Sequence, residues 1–367
     1  MNKMDNKNIK LYDNVSVFFN SNDEIRFRKG IWNFEEATLG LNDLSDNIKE
    51  ALIFFAKELF DDKLICFDDI VKKFSLNEKD SNFLDEIISS LIGNRFLEYD
   101  DKKNNMLNTV YEFIGEYFYD IPDESKVQKN KIMFITDNDR LKEYAKLTSE
   151  DLYMNVVMMD SDNIKDLEKA NLTDTSDAIE NIENYKELSK LFDGIACVVV
   201  SVEKPRLNLL RNINRLLLDK SIPIVISILD GPFLNITTIK GKETGCYECF
   251  ENRVVARNES LSVYNKFVKQ TMDFKLNSKK TYITPILQTF TSLALYEAFL
   301  FATIGRCKLA GRVINVYMPL IEIQIQDLLR VPFCPACGHI SKAKYDEMYT
   351  SSRKIIENLS SKVIING

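Results

Sequence analysis

Near the N-terminus of this 367-residue chain, apolar and polar residues alternate with a period of two. LYDNVSVFF alternates at its end, and EIRFRKG sets Ile25 and Phe27 on one face. Ser21-Asn22-Asp23 between them signals a turn. Trp32, Phe34 and Ala37 mark a third strand, so residues 11–40 read as strands. The period then becomes helical. Ile48, Leu52, Phe55 and Leu59 form an apolar stripe over 46–60. A short helix is expected over 67–74, and a third over 77–92 with Phe83, Ile87, Ile88 and Leu91 on one side. Arg95-Phe96-Leu97-Glu98-Tyr99 reads as a strand before a polar turn. Short strands, three helices and a hairpin predict a winged helix-turn-helix with an N-terminal sheet over residues 1–108.

Residues 109–130 hold an aromatic helix and the polar stretch IPDESKVQKNK, and read as a linker. Strands and helices alternate beyond it. KIMFIT (131–136), LYMNVVMMD (152–160), GIACVVVSV (194–202) and IPIVISIL (222–229) read as strands. The third is an unbroken apolar run, the mark of a strand covered on both faces. Helices are expected over 139–147, in parts of 162–192, and over 205–218 with Pro205 in the first turn. This order predicts an α/β domain over 131–340 with a doubly wound, mostly parallel sheet. Past Gly231 the chain returns along the alternating strand FLNITTIK to the first CxxC pair, and helices over 250–258 and 261–275 follow. A long helix begins at Thr284, with that hydroxyl as N-cap and Pro285 at N1. RVINVYMP and LIEIQIQ are two more strands. The second alternates Leu320, Glu322, Gln324 and Gln326 against Ile321, Ile323 and Ile325. Residues 341–367 form a charged tail.

Composition narrows the function classes. Hydrophobic content of 45% and charged content of 28% describe an ordinary globular protein. The net charge of −7 argues against gripping a phosphate backbone. The third helix region, NEKDSNFLDEIISS, is acidic and unlike a recognition helix, so no nucleic-acid partner is expected. The apolar stretch 285–304 contains Gln288, Glu297 and several hydroxyls, which predicts a buried helix and no membrane span. The polar start MNKMDNKNIKLYDN has no apolar signal region, so a cytoplasmic location is expected. His339 is the one histidine, which removes Ser-His-Asp and Cys-His nucleophile systems unless it serves as their base.

The cysteines carry the clearest chemistry. Cys246-x-x-Cys249 and Cys334-x-x-Cys337 offer four thiolates to one tetrahedral zinc, with no position left open for water. A structural zinc is therefore expected. Cys66, Cys197 and Cys307 are scattered, the pattern of a reducing compartment. The glycine-rich turn that cradles a nucleotide after the first strand of such sheets is missing. Thr136-Asp137-Asn138-Asp139 stands there, and its carboxylates would repel a triphosphate. The loop Ser201-Val202-Glu203-Lys204-Pro205 after the third strand reads as a solvated helix entrance.

From Asp193 to Arg253 the chain resembles the ubiquitin-activating-like adenylating superfamily of the ThiF/MoeB type. The resemblance rests on GIACVVVSV, RLNLLRNINRLLLDKSIPIVIS and NITTIKGKETGCYECF, with CPACG as the second zinc pair. It departs from that superfamily at the ATP loop and after the third strand. With the N-terminal domain, FRKGIWNFEEATLGL and VPFCPACG, nearly the whole chain resembles the C subunit of azole-forming cyclodehydratases, the SagC-like group of streptolysin S-type complexes. That resemblance implies a degenerate ThiF-like domain that holds zinc and no ATP. It implies a winged helix that binds the leader of a ribosomally made precursor peptide. A YcaO-type partner would use ATP to close Cys, Ser and Thr side chains into thiazolines and oxazolines. A flavin dehydrogenase completes some such sets, and the adenylating fold is compatible with a homodimer. Leader binding would add a strand beside the third strand. Its candidate lining is Trp32, Phe34 and Glu36 from the strand, with Phe83, Ile87 and Ser90 from the helix. The alternative is an adenylating enzyme of the ThiF type with an unusual nucleotide loop.

Overall fold

The computed structural model describes residues 7–12, 14–32, 34–100, 129–170, 172–173, 178–241, 243–257, 260–271 and 283–338. Residues 109–128 of the expected linker, the tail 341–367 and His339 lie outside the described residues. The chain forms two compact units, Met1–Asn108 and Thr109–Gly367.

The first unit contains β1 (Asn8–Leu11), β2 (Val15–Ser21), β3 (Glu24–Lys29), β4 (Glu35–Gly40), α1 (Asp46–Phe60), β5 (Ile65–Cys66), α2 (Phe67–Lys73), α3 (Glu78–Gly93) and β6 (Leu97–Tyr99). The strands form two antiparallel sheets, β2-β3-β4 and β5-β1-β6. Ile25 and Phe27 are fully buried in a core shared with Leu52, Phe55 and Leu59 of α1. The Asn77 side chain caps α3 by accepting the Asp80 amide at 2.8 Å.

Two expectations are corrected in this unit. Trp32 and Phe34 precede β4 and are not part of it, because the chain bends at Ile31 and Trp32 before pairing with β3 begins at Glu35. The buried stripe of α3 is Leu84, Ile88 and Leu91, while Phe83 is exposed and Ile87 is half-buried. The helix is rotated because Leu84 seats more completely in the core than Phe83.

The second unit contains β7 (Lys131–Ile135), α4 (Asp139–Asp151), β8 (Asn155–Met158), α5 (Ser161–Lys169), α6 (Ala178–Ser189), a 3₁₀ turn (Lys190–Phe192), β9 (Ile195–Val202), α7 (Leu207–Lys220) and β10 (Ile224–Asp230). It continues with β11 (Phe233–Ile239), α8 (Tyr247–Val255), α9 (Leu261–Thr271), α10 (Thr284–Ile304), β12 (Arg312–Tyr317) and β13 (Glu322–Asp327). One seven-stranded sheet runs β13-β12-β11-β10-β9-β7-β8. The expected mostly parallel sheet is instead half antiparallel. β8, β7, β9 and β10 are parallel, whereas β10 through β13 are antiparallel. The switch occurs at Gly231, whose φ of +57° lets the chain turn straight back into β11 without a crossover helix.

Helices cover both faces, as a doubly wound domain requires. On one face Phe134, Val199, Val225 and Ile236 pack beneath α10 through Leu287, Ala294, Leu295 and Phe299. On the other, Val198, Val200, Ile226 and Ile228 pack against Leu209, Ile213 and Leu216 of α7. Each such side chain contributes about 1.5–3 kcal/mol on burial. Among the described residues one helix, α10, is long and apolar enough to cross a membrane, and 61% of its most apolar window is buried inside the protein. Its Glu297 carboxylate is buried and accepts the Leu309 amide at 2.8 Å and the Lys308 amide at 3.1 Å.

Two helix starts differ from expectation. Ile283 is the N-cap of α10 and makes no side-chain cap; Thr284 is already helical, so Pro285 is the second helical residue. The first-turn amides have no intrahelical partners, so proline costs nothing at either place. Arg206 is the N-cap of α7, leaving Pro205 just outside the helix.

Candidate metal centre and candidate peptide edge

β11 delivers the chain to Cys246, which is the N-cap of α8, so Cys246 and Cys249 occupy the entrance and first turn of one helix. The chain after β13 delivers Cys334 and Cys337. Cys246 Sγ lies 3.8 Å from Cys249 Sγ and 3.5 Å from Cys334 Sγ, and Cys249 Sγ lies 3.4 Å from Cys337 Sγ. All four sulfurs fall within 4.8 Å of one another. A tetrahedral zinc with bonds of about 2.3 Å needs sulfurs about 3.8 Å apart, which these separations approach. They are far beyond a disulfide bond of about 2.05 Å, and all seven cysteines are free thiols. The donor set therefore fits a metal ion of zinc type.

The surroundings hold this geometry. The Val331 amide donates to Cys249 Sγ at 3.3 Å. Hydrogen bonds from Cys246, Cys334 and Cys337, with that amide, hold the Cys249 thiol well below its ordinary value. Two glycines make the knuckles possible. A Cβ on Gly245 would lie 2.8 Å from the Leu328 carbonyl oxygen, and one on Gly338 would lie 2.5 Å from the Cys334 carbonyl oxygen. Behind α8, Arg215 binds Glu248 through two bonds of 2.8 and 3.1 Å, and Arg211 binds Glu251 through two of 2.7 and 2.8 Å. The Tyr264 hydroxyl donates to Glu251 at 2.6 Å, and Asn214 accepts the Tyr247 amide at 3.0 Å. Sequence reasoning missed these supports. Their signal is Arg211 and Arg215 four apart on one helix, with Glu248 and Glu251 three apart on another.

Of the remaining thiols, burial pushes Cys197 well above its ordinary value and Cys307 up to about 12, so neither offers a thiolate.

At the C-terminal ends of β7 and β9, side chains close on one another. Asn138 caps α4 by accepting the Arg140 amide at 2.9 Å, and its amide group donates to Glu203. Arg206 donates to Glu168 at 2.8 Å through Nε and again through Nη2, and reaches Asp137 at 3.4 Å. Burial raises the Asp137 carboxyl above its ordinary value, with Arg206 opposing. Glu203 is thus a half-buried partner of Asn138, not a solvated residue at a helix entrance, because the β7 loop folds over it.

In the first unit, β4 hydrogen-bonds to β3 and forms the outer strand of its sheet among the described residues. Ala37 and Leu39 lie opposite Phe27 and Ile25, on the core side. Glu36 lies on the other face, where it binds Arg26 at 3.0 Å and Arg28 at 3.1 Å. The Phe34 ring centroid is 3.7 Å from the Arg28 guanidinium carbon. Trp32 is 95% exposed. On α3, Phe83, Ile87 and Ser90 share one side, with Phe83 and Ser90 exposed.

No protein-family model matches this chain, and no curated protein sequence matches it. Solved structures do. The chain is similar to the heterocyclase TruD at 14% identity and a TM-score of 0.59, over 90% of this chain and 43% of that one. It is also similar to a heterocyclase in complex with substrate and cofactor, at 14% identity and a TM-score of 0.58, over 90% of this chain and 39% of that one. It is similar to E. coli MccB with ATP at 14% identity and a TM-score of 0.53, over 90% of this chain and 99% of that one. The chain thus spans less than half the length of these heterocyclases and nearly the whole of MccB. The likeness is one of fold. The seven-stranded mixed sheet flanked by helices is consistent with the ThiF-like architecture expected from the sequence.

Proposed function

We propose that this chain is a recognition subunit of a heterocycle-forming cyclodehydratase, supplying no chemical group of its own. It binds the leader of a ribosomally made precursor peptide and presents the Cys, Ser and Thr residues of the core to a YcaO-type partner that uses ATP. The reading is carried by one observation: 90% of the chain follows the fold of a heterocyclase of which it spans only 43%.

The first unit serves as a winged helix-turn-helix built on β5-β1-β6 and the three helices. The leader adds a strand to the outer edge of β4, the last strand of its sheet among the described residues. Main-chain bonds supply affinity, while apolar side chains read Phe83 and Ile87. Glu36 acts from the other face by holding Arg26 and Arg28, which stiffens the edge. Tethering raises the local concentration of the core peptide to about the millimolar range. The four cysteines hold a structural zinc, which would join the chain after β11 to the chain after β13. A flavin dehydrogenase belongs to the set where the rings are oxidised.

The β7 loop supports the absence of ATP at this chain. Asp137 and Glu203 present carboxylates where phosphates would sit, and Arg206 is already engaged by Glu168 and Asp137. A second reading, a ThiF-type adenylating enzyme, is favoured by the match to nearly all of MccB with ATP. The two separate in one experiment. The recognition subunit binds leader peptide, and Phe83→Glu weakens that binding at least tenfold while leaving the melting temperature unchanged. ATP turnover by the isolated chain, with pyrophosphate exchange lost on Lys204→Ala, would instead establish the second reading.

A further inference from the structure

Four sulfurs gathered for one metal are also two dithiol pairs, and the fold decides which pairs they are. Cys246, Cys249 and Cys334 are buried in the core that contains Leu209 and Ile213 of α7, whereas Cys337 is only half-buried against it. Phe333, in the same knuckle, is 78% exposed, so this knuckle meets solvent. A small oxidant therefore reaches Cys337 before the other three sulfurs.

The separations then favour one partner. Cys249 Sγ stands 3.4 Å from Cys337 Sγ, and Cys246 Sγ stands 3.5 Å from Cys334 Sγ, against 3.8 Å between Cys246 and Cys249 in the first knuckle. The two closest of these approaches run between the knuckles. The Val331 amide holds Cys249 Sγ at 3.3 Å. Bonds from the Gly338 amide to the Cys334 carbonyl at 2.9 Å, and from the Cys334 amide to the Val331 carbonyl at 3.1 Å, fix the backbone of the second knuckle. Going from 3.4 Å to a disulfide of about 2.05 Å asks little of either side chain.

We propose that Cys337 is an oxidation site and Cys249 its resolving thiol, so that peroxide exchanges the metal for a disulfide across the two knuckles. The proposal rests on the structural zinc proposed above, in which the sulfurs are thiolates. The Cys337 thiolate attacks a peroxide oxygen: an S–O bond forms, the O–O bond breaks and hydroxide leaves. The Cys249 thiolate then attacks the sulfenic sulfur: an S–S bond forms, the S–O bond breaks and a second hydroxide leaves. Two thiolates lose two electrons, and one hydrogen peroxide gains them. Left with two ligands, the site releases its zinc. The bridge joins residues 88 apart. It keeps the chain after β11 tied to the chain after β13, and restrains the unfolded chain more than a bridge inside one CxxC loop. A second equivalent of peroxide joins Cys246 to Cys334 in the same way.

The test is titration of the zinc-loaded full chain with hydrogen peroxide. Released zinc is read with a colorimetric chelator, sulfenic acid by dimedone trapping, and disulfides by mass spectrometry of non-reduced peptides. Dimedone is expected first on Cys337. One zinc per chain is released with the first disulfide, which links Cys249 to Cys337. The oxidised chain melts above the reduced chain stripped of zinc. A first link within either CxxC pair, dimedone first on another of the four sulfurs, or four site cysteines that stay reduced would overturn the proposal. A purified chain that binds no zinc would overturn the structural zinc instead, and the first disulfide formed in that chain still decides the pairing.

Discussion

The Arg215–Glu248 pair should couple the stability of the second unit to its candidate metal centre. Glu248 lies between Cys246 and Cys249 in the first turn of α8, and its side chain is 5% exposed against 11% for Arg215. Glu248→Met removes both carboxylate bonds and leaves Arg215 with its bond to the Leu172 carbonyl at 3.1 Å. Breaking a buried pair from one side costs about 3–5 kcal/mol, because a charge is left without its partner. The small exposure of Arg215 lets water relieve part of this, which places the cost near about 3 kcal/mol. In a domain of this size that is a fall in melting temperature of about 6–12 °C. The double variant Arg215→Met, Glu248→Met leaves no orphan charge and should recover most of the loss. Urea unfolding of wild type, both single variants and the double gives the coupling directly. Metal release to a chelator, followed in the same four proteins, should be fastest in Glu248→Met. Single variants within about 0.5 kcal/mol of wild type, or a double variant as unstable as the worse single, would refute the reasoning.

Three further outcomes follow from the same geometry. Gly338→Ala forces a Cβ against the Cys334 carbonyl oxygen, so the second knuckle must open; zinc content by elemental analysis and melting temperature should both fall. Cys246→Ala should give a chain that aggregates or unfolds, because a structural zinc contributes about 10–16 kcal/mol in small peptides; a soluble, folded Cys246→Ala variant would contradict a structural role. The third concerns Glu297, whose carboxyl is raised above its ordinary value of 4.5 by burial, against the amides of Leu309 and Lys308. Between that ordinary value and its raised folded value the native state holds a proton that the unfolded chain has released, so this group's contribution to stability falls as pH rises. Compared with Glu297→Gln, the wild type should lose stability as pH rises through that interval, as read by urea midpoints at successive pH values.

Much of the fold was legible because its signals are local. The stripe of α1 and the apolar run of β9 name their own periods, and the paired CxxC motifs name their own chemistry. What was not legible depends on tertiary choice. β1 escaped notice because NIKL has too few residues to show a period, although Ile9 is fully buried between β5 and β6. Trp32 and Phe34 read as strand because aromatic residues favour strands, yet nothing local fixes where pairing begins. In α3, Phe83 and Leu84 were equally good candidates for the buried stripe, and only packing decides between them. The turn back at Gly231 was legible, but not that β11, β12 and β13 would extend the same sheet antiparallel, because which strands pair is a tertiary choice. The ion pairs behind α8 join residues 33 and 40 positions apart. Their spacing on each helix was visible, but not that the two helices meet.

The central claim is that this chain recognises a peptide and leaves ATP chemistry to a partner. Titration of the full chain with the leader segment of its precursor, alongside a steady-state assay of ATP hydrolysis by the same preparation, tests it most directly. Saturable leader binding that weakens in Phe83→Glu, with no ATP turnover above a protein-free control, is the predicted result. ATP hydrolysis by the chain alone, or leader binding unaffected by Phe83→Glu, would contradict it.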